Sequence, residues 1–153
     1  MTRSMSLLRL DAAPPARPPA TGRLLLVTLL SVAGSLLADA ALVAIGTRVF
    51  PSTKGYGHFQ FHDYSKLTVV GVVIACAAWP VVVRVSSSPR WLFLRLAILV
   101  TVVLLLPDLY ILHQGQPARA VAVLMVMHLA IGLVTYNALV WLAPARPRTE
   151  VAA

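Results

Sequence analysis

Apolar residues along this chain gather into four long runs instead of alternating with polar ones. The runs are Leu24 to Ile45, Leu67 to Val83, Leu92 to Leu112 with Arg95 close to its start, and Ala120 to Leu142. A helix rises about 1.5 Å per residue, so about 20 apolar residues cross the hydrocarbon core of a bilayer. The first run, at 22 residues, is long enough; the second, at 17 and with Pro80 near one end, reaches only the lower limit. The pattern predicts four transmembrane helices.

The connections are short: 21 residues over 46–66, 8 over 84–91 and 7 over 113–119. Short turns make successive helices adjacent and antiparallel. The expected fold is all-α, an integral membrane four-helix bundle over 23–143. It is flanked by a tail over 1–22, where "PPARPP" cannot hold a helix, and by a short tail over 144–153. One competing reading concerns the first run. "RLLLVTLLSVAGSLLADA" has the basic start, apolar stretch and Ala38-Asp39-Ala40 ending of a signal peptide, but apolar character continues through "ALVAIG" for a full span.

Charge sets the orientation. Arg3, Arg9, Arg17, Arg23, Arg84, Arg90, Arg95, Arg146 and Arg148 fall on one side, nine in all, against four for Arg48, Lys54, Lys66 and Arg119 on the other. Cationic residues favour the cytoplasmic side, so both termini are expected there. The net charge of +8 does not point to nucleic acid, because the arginines cap apolar runs and form no basic face on a soluble domain. A hydrophobic content of 59% with 12% charged residues leaves too few polar side chains to cover a soluble globule. Membrane lipids are the expected covering. The single cysteine, Cys76, permits neither an intramolecular disulfide nor a multi-cysteine zinc site. Eleven arginines against two lysines, with abundant Ala, Val, Leu and Pro, fit a GC-rich bacterial gene and a multi-pass protein of the bacterial plasma membrane.

Ionisable residues inside the runs are costly to insert, by about 2.5 to 3.5 kcal/mol each, and mark where chemistry could reside. They are Asp39, Asp108 and His128, about 9, 6 and 12 Å below the outer ends of their runs at 1.5 Å per residue. Thr28, Ser31, Ser35, Asp39 and Gly46 share a stripe of the first helix, with Gly34 and Ala38 beside it. Small residues allow close helix approach, so Ser31, Gly34, Ser35 and Ala38 form the expected packing patch and Asp39 is expected to face protein. His128 shares a stripe with Gly132 and Thr135. Two arrangements follow: a polar pocket of Asp39, Asp108 and His128, or an Asp39–His128 pair with Asp108 wet at the interface. Asn137 is expected as a buried amide bonded across helices.

The loop "GYGHFQFHDYSK" alternates His58, Gln60 and His62 with Phe59 and Phe61, as an extended strand lying on the membrane would. Tyr56, Tyr64 and Lys66 then serve as interfacial anchors. His58, His62 and Asp63 are weak metal candidates, because a fourth ligand is lacking and Gly55 and Gly57 argue against a preceding helix. No metal or cofactor is expected; His113 and His128 differ too much in depth to ligate one haem. No nucleotide-binding, zinc-protease or serine-hydrolase motif occurs.

The third run ending "LLLPDL", the short turn after it and the fourth run opening "ARAVAVLMVMHLAIG", with His128 in an "MH" position, resemble an actinobacterial family of small four-span membrane proteins that carries only a domain-of-unknown-function label. The resemblance implies the four-span fold and a membrane location, and brings no activity with it. "GHFQFHDY" departs from the family's pattern, being richer in histidine and aromatic residues. Three functions remain open. The first is a non-enzymatic accessory or interaction subunit of a larger membrane assembly, bound to another membrane protein or to itself through its small-residue face. The second is a small oligomeric transporter or channel using Asp39, Asp108 and His128. The third is a lipid- or quinone-modifying enzyme with Asp108 and His128 as acid and base.

Overall fold

The computed structural model describes residues 16–147. Residues 1–15 of the proline-rich tail and 148–153 of the C-terminal tail lie outside the described residues. Four helices run through the fold: α1 (Thr21–Val49), α2 (Phe61–Val85), α3 (Pro89–His113) and α4 (Ala118–Asn137), the last continued by a π-helical turn over Ala138–Leu142. All four are long and apolar enough to cross a membrane. The chain is a multi-pass membrane protein with an all-α four-helix bundle.

Neighbouring helices are antiparallel because the links between them are too short for anything else. At the α3–α4 turn, Gly115 takes φ +85°. Its N–H donates to the Leu112 carbonyl at 3.0 Å while that of Gln116 reaches Ile111 at 3.1 Å, the paired bonds of a Schellman ending. α1 packs on α2 and α4, and α3 packs chiefly on α4. α3 is the most lipid-facing, with only 17% of its apolar window buried inside the bundle.

Two apolar clusters fill the interior. One, toward the described chain ends, gathers Trp79, Val83, Phe93, Leu139 and Val140; the other, toward the 50–60 loop, gathers Phe59, Ala120, Val123, Leu124 and Met127. The chain ends meet in a two-residue antiparallel pairing of β1 (Ala16–Arg17) with β2 (Arg146–Pro147). Beside them the Arg23 Nε donates to the Leu142 carbonyl at 2.6 Å and the Trp79 indole N–H to Ala143 at 2.8 Å.

Three expectations are corrected. α2 begins at Phe61 and runs 25 residues, so the short second run belongs to a full-length helix whose first turns carry polar residues outward. The loop is no strand: 3-10 turns over Pro51–Thr53 and Gly57–Phe59 precede α2, which buries Phe59 and leaves Phe61 exposed. Asn137 is exposed and donates to the Leu133 carbonyl of its own helix at 2.8 Å, so it bridges nothing.

Candidate functional site: a buried carboxylate layer

The inward stripe of α1 is Val27, Ser31, Ser35, Asp39 and Gly46, all buried. Two close approaches fix its register against α4. A Cβ on Gly34 would meet Val134 Cγ1 at 3.2 Å, and one on Gly46 would meet Val123 Cγ2 at 2.8 Å. Antiparallel helices matched at those points place Asp39 level with His128 and Ser35 level with Thr135, each within about half a turn. Ser31, Gly34 and Ser35 are therefore occupied in packing within the bundle, with Ala38 half-buried beside them.

Asp39 is fully buried, and Thr68 of α2 donates its hydroxyl to Asp39 Oδ2 at 2.7 Å. Oδ1 has no hydrogen-bond partner. The Asp39–His128 pair does not form. The two are level, but the imidazole turns toward α3, where His128 Nδ1 lies 3.0 Å from Asp108 Oδ2. The same nitrogen lies 3.1 Å from the Leu124 carbonyl. An atom facing two acceptors carries a proton, so Nδ1 is a donor side of the ring. Its N–H aligns better on Leu124, so Asp108 Oδ2 receives an electrostatic contact without a well-directed hydrogen bond.

Asp108 is 5% exposed, not wet at an interface. It closes a seam of α3 that runs Phe93, Ala97, Thr101, Leu105, Asp108, each buried or half-buried. Gly132 lets the α3 and α4 backbones approach there, since a Cβ on it would stand 2.9 Å from Thr101 Oγ1. Read at that spacing, the sequence places Asp108 inside, as the polar-pocket arrangement has it and the wet-interface arrangement does not. Thr68 lies inside the second run but carries no charge, so a search for ionisable residues passes over it, although Thr68, Val72, Cys76, Trp79 and Val83 form one buried stripe.

From the loop, Tyr56 packs edge-on against Phe59 and His58. Its hydroxyl is buried without a partner. Burial, and secondarily the Asp108 carboxylate, raise this phenol above its ordinary range. The loop thus covers the polar layer from one side. His58 and His62 are exposed, and His62 Nδ1 lies 3.6 Å from Asp63 Oδ1 in the first turn of α2. His58 sits in the preceding 3-10 turn, so the two histidines do not share a helical face. Among the described residues no group of three or more His, Cys, Asp or Glu side chains could hold a metal ion.

The chain matches no family model, no curated protein and no solved structure. The site is therefore read from its own geometry.

Proposed function

We propose that this is a non-enzymatic membrane protein that takes up and releases a proton or small cation at buried carboxylates, the second of the three functions above. One observation carries the reading. Asp39 is fully buried between apolar helices, Thr68 is its one hydrogen-bond donor, and no basic side chain pairs with it among the described residues. A lone carboxylate in such a place is expensive unless a proton or cation accompanies it, which makes it a functional site by default.

Four helices with two apolar clusters leave little room for an aqueous path inside one copy, so transport calls for self-association. Ala33, Ala40 and Ala44 lie exposed along one outer face of α1 with Leu37 among them, an apolar face that another helix can cover. The same face supports the accessory-subunit reading, now in place of Ser31 and Ser35, which the bundle itself occupies. The acid–base enzyme reading has its pair in Asp108 and His128, but the Asp108 side chain is 7% exposed and only the imidazole, at 28%, reaches the surface, which leaves the acid out of a lipid's reach. The arginine-rich end is assigned to the cytoplasm of a bacterial cell and the Tyr56 loop to the outside.

The test is infrared titration of protein in proteoliposomes, with a pH-sensitive dye inside. Carboxyl bands should appear and vanish with pH, and Asp39→Asn should remove one of them and the associated proton uptake. Vesicles behaving like empty ones, with no titrating carboxyl band, would overturn the reading.

A further inference from the structure

The α1–α4 seam holds an unusual set of oxygens. Ser31 and Thr28 satisfy their hydroxyls on their own helix, donating to Val27 at 2.8 Å and Leu24 at 2.9 Å. Ser35, one turn along the same stripe and fully buried, does not; neither does Thr135, 4% exposed, on the facing helix. Both hydroxyl oxygens are without a partner, as is Asp39 Oδ1 one turn from Ser35. Buried polar atoms are ordinarily bonded, so three bare oxygens on two matched faces need an explanation.

We propose that Asp39 Oδ1, Ser35 Oγ and Thr135 Oγ1 bind a small monovalent cation of the sodium class, in exchange for the proton of Asp39. The inference rests on the reading of Asp39 given above and names its ligand. All three atoms are hard oxygen donors, which suit alkali and alkaline-earth ions and not soft metals. One carboxylate among neutral oxygens balances a single positive charge, whereas a divalent ion is usually held by several carboxylates. Asp108 Oδ2 turns to His128 Nδ1 at 3.0 Å and is not among these ligands. Thr68 holds the other oxygen of Asp39 in place and so orients the first.

Thermal unfolding of the full chain in detergent, in sodium chloride against choline chloride at equal ionic strength, tests this. Sodium should raise the melting temperature in a saturable way. Ser35→Ala and Thr135→Ala should each raise the sodium concentration at half-effect by about tenfold or more. Because sodium and the proton compete for one carboxylate, the half-effect concentration should rise about tenfold for each unit that pH falls once the carboxyl is protonated, and level off at higher pH. Asp39→Asn should abolish the effect; if that variant does not fold, the two hydroxyl variants decide. Identical melting in sodium and choline at every pH overturns the cation site. If Asp39 still titrates in the infrared, the proton reading stands without it; if it does not, both fall.

Discussion

A single hydroxyl holds Asp39, and this gives the residue scale its clearest test. Thr68→Val keeps the shape and removes the donor, so it should destabilise the protein in detergent by about 0.5 to 2 kcal/mol, as intramembrane polar contacts do. Unchanged unfolding would show that the 2.7 Å contact contributes nothing. A double-mutant cycle should find coupling of at least about 0.5 kcal/mol between Asp108→Ala and His128→Ala, which touch, and little between Asp39→Ala and His128→Ala, which are level but turned apart. Equal coupling in both cycles would mean that the imidazole divides its time between the two acids. The sequence made the burial of Asp39 legible, because a stripe of Ser and Gly residues identifies the face of a helix that meets protein. It could not say which acid His128 would meet. That choice depends on one side-chain rotation and on the phase of a third helix, and a stripe on α1 carries neither.

At the scale of elements, close approach of α1 and α4 depends on having no side chain at Gly46. A methyl there would stand 2.8 Å from Val123 Cγ2, so Gly46→Ala should cost about 1 to 3 kcal/mol through overpacking. Val123→Ala in the same chain should recover part of that loss, and an additive further loss would place the clash elsewhere. Helix number and order were readable from hydropathy alone, since a span of apolar residues has no alternative to a helix in lipid. Helix ends were not. α2 starts six residues before its apolar run, because "FHDYSK" turns Tyr64 inward while His62, Asp63 and Lys66 stay exposed. Alternating polar and aromatic residues in "HFQFH" imitated a strand for the same reason: over five residues, a period of two and the start of a helix look alike.

The whole molecule is assigned an orientation by its arginines, and that assignment is open to direct test. Cys76 is the only cysteine and is 2% exposed, so the parent chain is nearly silent to thiol reagents. In intact cells Lys54→Cys should react with an impermeant maleimide, while Arg146→Cys should react only after permeabilisation; the reverse pattern inverts the bundle. A further consequence belongs to the small pairing of Ala16 with Pro147 and Arg17 with Arg146. With its ends clasped, the described chain is close to a closed ring of helices, and the order in which they are strung matters little to the packing. Joining residue 147 to residue 16 by a short linker, and opening the chain in the turn at Gly115, should yield a circular permutant that unfolds within about 1 kcal/mol of the parent, roughly the scale of altered loop closure. Its new ends would emerge on the opposite face of the membrane, where a tag could report on the Tyr56 loop and the carboxylates beneath it.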